Sequence, residues 1–246
     1  MARAGIGADV EGFHAVVAAA DAGRVELLYV ERNRLGADRY TRLVEAVESS
    51  GGAVDVVDDV TRYAVTATPQ GVVARCRPVA AASLRSVVSG RSPPALIVLD
   101  HLEDPRNVGA IARSAAAAGM SAMVVSVDRA APLGASAFKA AAGAFESLPL
   151  VLVRSVGDAM RRLDDAGVWT VGLDASGERS VFGLDLLAEP CAIVVGSEGA
   201  GLSRLVRDRV SVVARIPTSG AVESINVSVA AALAMFELAR ARQWVS

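Results

Sequence analysis

Side chains able to take part in catalysis or ligand binding are concentrated in three segments of the C-terminal part of this 246-residue sequence. In the first segment, 99–119, Asn107 and Arg113 lie on one predicted helix, about one and a half turns apart. Small Ala and Ser residues around Arg113 leave space for another molecule to approach a guanidinium suited to phosphates. The alternative is a helix-capping Asn and a solvated Arg.

The second segment, 194–206, is rich in glycine. Gly196, Gly199 and Gly201 follow an apolar run and precede a predicted helix, so backbone N–H groups are able to face a ligand. The segment lacks the spacing of a dinucleotide fingerprint and has no P-loop lysine. The alternative is an ordinary glycine-rich turn with Glu198 beside a helix N-terminus.

The third segment, 215–240, contains Ser224 and Asn226 two positions apart, so both side chains point the same way if the backbone is extended. Asn226 then opens a predicted helix of Val, Ala and Ser, whose small surface suits close packing. A capped terminal helix without further function is the alternative.

These segments must be positioned by the elements around them. From residue 95 onwards, continuous apolar runs alternate with helical patterns, which predicts a mostly parallel sheet with helices on both faces. The runs are 95–100, 122–126, 148–153, 169–174, 191–196 and 212–217. Because open α/β sheets bind ligands beyond the carboxyl ends of their strands, the loops after Asp100, Asp174, Gly196 and Pro217 are the candidate positions.

Helix boundaries can also be predicted. Asn107 stands where an N-cap belongs, and Gly119 follows the end of that helix. Ser155 and Asp158 form a capping pattern for the next helix, which stops at Gly167.

The domain organisation is predicted as a small α/β domain at 1–77, a linker at 78–94 and a larger α/β domain at 95–246. The first domain shows a helix that ends at Gly23, a strand at 25–32, a second amphipathic helix and another strand. The linker has small residues and ends in Pro93-Pro94.

Composition narrows the class of protein. A chain with 52% hydrophobic and 4% aromatic residues is globular and builds its core from aliphatic side chains. The widely separated Cys76 and Cys191 indicate buried thiols of a reducing compartment. No apolar run reaches membrane-spanning length, and the N-terminus has no signal-peptide core, so a cytoplasmic protein is expected. The net charge of −2 gives no support for a nucleic-acid partner, although charge on one face matters more.

In content and order, the three segments together resemble the motifs of the SpoU, or TrmH-like, branch of SPOUT RNA methyltransferases. The resemblance covers about 95–242. The N-terminal part, with EGFHAV and QGVVAR, is similar to the substrate-binding domain of the bacterial 23S rRNA guanosine 2′-O-methyltransferases. Pro69 is a departure, because that subfamily usually has His before Gln70-Gly71.

The resemblance implies an S-adenosylmethionine-dependent RNA ribose 2′-O-methyltransferase with a C-terminal deep trefoil knot. It implies a homodimer with the active site at the interface and RNA as the partner, and the likeness of the N-terminal part favours rRNA over tRNA. By motif position, the residues that hold the cofactor are Leu173, Gly196, Ile216 and Ile225.

The resemblance also assigns catalytic residues. A ribose 2′-hydroxyl is a poor nucleophile at neutral pH, so a group must take or share its proton. Arg113 matches the family's proposed base; because arginine normally stays protonated, positioning the hydroxyl is the alternative role. Asn107 and Glu198 are expected to orient Arg113 or the nucleotide, and Ser224 and Asn226 to hold the ribose or the cofactor. No metal is needed.

Three other functions remain as alternatives. The first is a tRNA 2′-O-methyltransferase, and the second is a catalytically silent module for RNA binding or resistance. The third is a dehydrogenase-like α/β enzyme, which the missing dinucleotide fingerprint disfavours. Calorimetry that compares binding of S-adenosylmethionine with binding of NAD distinguishes this alternative from the others.

Overall fold

A computed structural model describes residues 5–90, 92–127, 133–220 and 224–244. These residues form two units. The first comprises 5–80 together with 133–147, and the second comprises the described residues of 81–127 and 148–244.

The strands of the described chain are β1 (Asp9–Glu11), β2 (Val25–Glu31), β3 (Ala53–Val57), β4 (Val72–Cys76), β5 (Ala95–Leu99), β6 (Ala122–Ser126), β7 (Leu150–Val153), β8 (Trp169–Leu173), β9 (Arg179–Ser180), β10 (Cys191–Val195) and β11 (Val212–Arg215). The α-helices are α1 (Phe13–Asp21), α2 (Asp38–Ser49), α3 (Leu84–Val88), α4 (Pro105–Ala117), α5 (Ala135–Ala141), α6 (Val156–Asp165), α7 (Arg204–Arg207) and α8 (Val227–Ala241).

The first unit contains a mixed sheet in the order β1-β4-β2-β3. β4 runs antiparallel to both β1 and β2, whereas β2 and β3 are parallel. The predicted helix end at Gly23 is confirmed: this residue has a φ of 66°, which glycine adopts at little cost after a helix. The strands β1 and β4 were not predicted.

The second unit contains a sheet in the order β7-β6-β5-β10-β8-β11-β9, and every described pair in it is parallel. All residues of β5, β6 and β10 are buried, as continuous apolar runs require when helices cover both faces of a sheet. The prediction of a mostly parallel α/β domain is confirmed. Six apolar runs predicted six strands. The additional edge strand β9 consists of two polar residues and has no apolar run from which it could be predicted.

The predicted helix starts are partly right. Ser155 caps α6 by accepting from the Asp158 N–H at 3.3 Å, and Asn226 caps α8 by accepting from the Ser228 N–H at 2.8 Å. The prediction of Asn107 as an N-cap is wrong, because α4 begins two residues earlier. Its cap is Asp104, whose carboxylate accepts from the Arg106 N–H at 2.8 Å. Asn107 therefore lies inside the first turn, where its side chain is available for another partner.

The segment 78–94, expected to be a linker, has structure of its own. It contains α3, and Leu84 is 3% exposed in the core beneath the sheet of the second unit. Ala82 also forms a parallel bridge with Val151 at the edge of that sheet. The segment 133–147, expected within the C-terminal domain, groups by its contacts with the first unit.

Both cysteines are free and buried. Burial raises the pKa of each thiol to about 12, so neither is a thiolate at neutral pH. Among the described helices, none combines the length and apolarity that crossing a membrane demands.

Candidate active site at the carboxyl ends of the parallel strands

A cleft of about 700 Å³ opens beyond the carboxyl ends of β8, β10 and β11. Its walls are formed by 173–175 after β8, 195–201 after β10, 215–218 after β11, and 224–227 at the start of α8. Three of the four loops expected from the strand-end rule therefore meet at one cavity.

The residues predicted to hold a cofactor all line this cleft: Leu173, Gly196, Ile216 and Ile225. They come from four different segments, so only the folded sheet brings them together. The lining combines apolar side chains with glycine backbone, an arrangement that suits an elongated ligand with both apolar and hydrogen-bonding parts.

The glycine-rich loop is folded back on itself at the mouth of the cleft. Ser197 and Gly201 exchange two backbone hydrogen bonds of 3.0 Å each. A Cβ atom on Gly196 would lie 2.0 Å from the Gly201 carbonyl oxygen, so a larger residue there forces the backbone apart. The loop therefore requires glycine for its close backbone approach.

A side-chain network joins the three sequence segments at the rim of the cleft. Asn107 donates from Nδ2 to Glu198 Oε1 at 2.8 Å, and Asn226 donates to the same oxygen at 2.9 Å. Asn226 Nδ2 also lies 3.2 Å from Asn107 Oδ1. A single carboxylate oxygen thus fixes two amides that are 119 residues apart in sequence.

Asp100 forms a second set of polar contacts near the cleft. The buried Asp100, at the end of β5, accepts from the Ser203 N–H at 2.7 Å and from His101 Nδ1 at 2.7 Å. The contact fixes the far end of the glycine-rich loop against the strand that leads into α4. Sequence reasoning identified the strand end but not this role for Asp100.

Asp174 is a cleft residue that sequence reasoning did not single out by its chemistry. Burial alone would raise its pKa, but hydrogen bonds from Ser176 and the Arg207 guanidinium outweigh burial and hold the pKa below its ordinary value. Arg207 donates to Asp174 at 3.0 Å. The carboxylate at this wall is therefore charged at neutral pH.

The other two predicted catalytic residues differ in position. Ser224 lines the cleft beside Ile225. Arg113 is exposed on α4 and is not among the residues that line the cleft, and its side chain forms no hydrogen bond or ion pair with the described residues. A single chain thus gathers Asn107, Glu198 and Asn226 into one network but leaves Arg113 outside it.

The outer face of α8 carries an apolar stripe. Val229, Leu233 and Phe236 are 50%, 39% and 42% exposed and recur at helical spacing. The stripe is therefore not buried within a single chain.

A wholly parallel sheet with a glycine-lined cleft beyond its strand ends defines an α/β domain that binds nucleotide-like ligands. The chain belongs to the SpoU rRNA methylase family, whose model matches residues 94–236. A second model, for the substrate-binding region of RNA 2′-O ribose methyltransferases, matches residues 10–81.

Named relatives and solved structures agree with this assignment. The chain is 38% identical to 23S rRNA (guanosine-2′-O-)-methyltransferase RlmB of Photobacterium profundum over 94% of this chain and 97% of that protein. It is 34% identical to RlmB of Escherichia coli K12 over 95% of this chain and 98% of that protein. The crystal structure of the SpoU methyltransferase AviRb from Streptomyces viridochromogenes with AdoMet superposes with a TM-score of 0.80, at 26% identity, over 96% of this chain and 91% of that one.

Proposed function

We propose that this protein transfers a methyl group from S-adenosylmethionine to the ribose 2′-hydroxyl of a guanosine in 23S rRNA. The observation that carries the proposal is the Asn107–Glu198–Asn226 network, which joins all three motif segments at the rim of one cleft. Similarity to the RlmB proteins over nearly the whole chain supports 23S rRNA, and hence a cytoplasmic site of action beside the ribosome.

The cleft residues fit S-adenosylmethionine. Gly196 lines the cleft without a side chain, so its backbone can approach a ligand, and Leu173, Ile216 and Ile225 supply apolar contacts for an adenine ring. The charged Asp174 at the same wall suits an amino or hydroxyl group of the ligand. When bound, the cofactor supplies an electrophilic methyl group attached to a sulfonium.

The polar residues of the network position the acceptor nucleotide. Glu198 holds the Asn107 and Asn226 side chains in fixed orientations, so little rearrangement is needed when the ribose arrives. Proximity and orientation of this kind contribute up to roughly 7–11 kcal/mol to a reaction between two bound partners. Ser224, on the same cleft wall, offers a hydroxyl for the ribose edge.

Arg113 has the task of positioning and polarising the 2′-hydroxyl, and a second copy of the chain brings it to the cleft. Within one chain, Arg113 is exposed and stands outside the lining of the cleft. Its helix α4 packs against α8, whose outer stripe of Val229, Leu233 and Phe236 is exposed. Pairing two chains through this stripe would bury apolar surface and carry Arg113 into an interface.

The experiment that tests the proposed substrate is mass mapping of rRNA and tRNA from a strain that lacks the gene. We expect one guanosine of 23S rRNA to lose a ribose methyl group, and the wild-type gene, but not an Arg113→Ala variant, to restore it. Loss of a methyl group from tRNA instead would assign the tRNA alternative. Unchanged methylation of every RNA would favour a catalytically silent RNA-binding module.

A further inference from the structure

A second cavity, separate from the cleft, lies wholly within the first unit. It has a volume of about 290 Å³ and is lined by Phe13, His14, Arg34, Arg39, Tyr40 and Gln70. No role for this cavity follows from the reaction at the cleft. The lining is unusual because it combines aromatic rings, guanidinium groups and a carboxamide in one small concave site.

The aromatic wall consists of Phe13 and Tyr40, whose ring centroids are 4.9 Å apart at an angle of 61°. The Arg39 guanidinium lies over both rings, 4.9 Å from the centroid of Phe13 and 5.0 Å from that of Tyr40. Arg39 itself is exposed, so its guanidinium is accessible to a ligand. Unstacked RNA bases bind to such aromatic and guanidinium planes.

Gln70 forms the polar wall and has an unfavourable backbone conformation. Its φ of 62° lies in the left-handed region, which is costly for a residue other than glycine. Two contacts hold it there: its Oε1 accepts from the Phe13 N–H at 3.0 Å, and its carbonyl oxygen accepts from the Tyr40 hydroxyl at 3.1 Å. The surroundings thus fix Gln70 against the two aromatic residues.

The hydrogen bond between the Phe13 N–H and Gln70 Oε1 leaves the amide N–H groups of Gln70 free to bind a ligand. Because the Gln70 carboxamide oxygen is used, its two N–H donors remain, and they find no acceptor among the described residues. Two N–H donors match the carbonyl oxygen that guanine presents at O6 and uracil at O4, whereas adenine and cytosine carry an amino donor at the same position.

Charge at the pocket favours a phosphate. Arg39 has no carboxylate partner among the described residues, and Arg34 is 45% exposed with Glu31 3.5 Å away. His14 is exposed and also lines the cavity. Arg75, by contrast, is committed to a buried ion pair with Asp9.

We propose that this pocket binds one unstacked guanosine or uridine of the RNA substrate, with its base against Phe13 and Arg39 and its edge at Gln70. The proposal rests on the proposed function, because it assumes that RNA is the substrate. It assigns a specific nucleotide subsite to the first unit, in place of general electrostatic attraction.

The test uses the full-length protein and two fluorescein-labelled RNA nonamers, oligouridylate and oligoadenylate, followed by anisotropy. We expect the uridylate to bind at least about five-fold more tightly, consistent with stacking and one added hydrogen bond. Phe13→Leu keeps the apolar volume but removes the ring, and Gln70→Gly removes the amide while relieving the left-handed strain. Both should abolish the base preference.

Matched variants separate the pocket from general charge. Arg39→Ala and Arg42→Ala each remove one exposed cation from α2 and should lower the salt dependence of binding by about one unit each. Only Arg39→Ala should also remove the base preference. Tyr63→Leu, outside the pocket, should leave it unchanged. Thermal unfolding of each variant checks that the fold is retained.

Failure of the subsite and failure of the proposed function give different results. If Phe13→Leu and Gln70→Gly fold and keep the wild-type base preference, the subsite is overturned even if the protein methylates 23S rRNA. If the base preference is lost in both variants, the subsite stands whatever the modified RNA proves to be. With 23S rRNA as substrate, we expect the KM for RNA to rise about five-fold in both variants at unchanged kcat. A loss of kcat at unchanged KM would contradict a binding role.

Discussion

Asn107 and Asn226, which lie on different helices, donate to the same carboxylate oxygen of Glu198 at 2.8 and 2.9 Å. Asn226 also caps α8, so one side chain both begins a helix and completes the network. The two roles can be separated by mutation.

Asn226→Ser keeps a good N-cap residue but is too short to reach Glu198, whereas Asn226→Ala loses both roles. We expect both variants to lose methylation by about 100-fold, because a misplaced positioning group has a cost of that order. Only Asn226→Ala should also lose about 1 kcal/mol of stability. Urea unfolding and single-turnover methylation check the two effects. Full activity in Asn226→Ser would show that the bridge to Glu198 is dispensable.

Arg113→Ala is expected to abolish methylation while the affinity for S-adenosylmethionine changes by less than about three-fold, because Arg113 lies outside the lining of the cleft. Calorimetry measures the affinity and tritium transfer the activity. Arg162→Ala, which removes an arginine from α6, is the control and should behave as wild type. Loss of cofactor binding in Arg113→Ala would place the residue at the cofactor instead.

Mixing two inactive variants tests whether Arg113 acts across a dimer. Arg113→Ala and Asn226→Ala chains, refolded together in equal amounts, form heterodimers in which one of two sites has both an intact cleft and an intact arginine. We expect recovery of about a quarter of the wild-type activity, as random pairing in a two-fold dimer requires. If Arg113 serves the cleft of its own chain, the mixture stays inactive.

Leu233→Glu should disrupt the proposed dimer, because it puts an uncompensated charge into the apolar stripe on α8. We expect the dissociation constant to rise by about 100-fold or more and activity to fall in parallel. Sedimentation at micromolar concentration measures the mass. Leu205→Glu on α7, where the leucine is 52% exposed, is the control and should remain dimeric. A monomeric, fully active wild-type protein would refute the dimer.

The lowered pKa of Glu237 predicts that the free energy of unfolding depends on pH. Hydrogen bonds from Arg240 hold its pKa below the ordinary value of 4.5, against the opposing effect of burial, and the Gly183 N–H adds to the shift. A carboxyl group with a lowered pKa stabilises the fold above its unfolded pKa, and this stabilisation is lost as the pH falls through the folded value.

Glu237→Gln should therefore cost about 1.5 kcal/mol at pH 7, and the difference from wild type should shrink below pH 4.5. Urea unfolding at several pH values provides the measurement, with the exposed Glu178→Gln as the control. The same loss at pH 7 and at pH 3 would mean that charge is not the cause.

The sequence predicted the parallel sheet well because buried parallel strands are continuous apolar runs, and β5, β6 and β10 have this pattern. The sequence-based prediction was wrong at the start of α4, where the backbone conformation decides which residue is the N-cap. Asp104 and Asn107 are both acceptable N-caps by residue type, and only the extended backbone at Asp104 distinguishes them. β9 has two polar residues and no pattern to detect.

For the candidate site, the sequence indicated residues but not their arrangement. The four residues expected by motif position to hold the cofactor all line one cleft. By contrast, the meeting of Phe13 with Gln70, 57 residues apart, depends on the left-handed backbone at Gln70, which no sequence pattern indicates. The trefoil knot implied by the resemblance stays a prediction.

The proposed activity is tested most directly by methyl transfer in vitro from labelled S-adenosylmethionine to unmodified 23S rRNA, with the product nucleoside identified by mass. We expect one methyl group on the ribose of a single guanosine, and none with the Arg113→Ala protein. Methylation of a base, or of tRNA only, or no transfer by a protein that binds the cofactor, would contradict it.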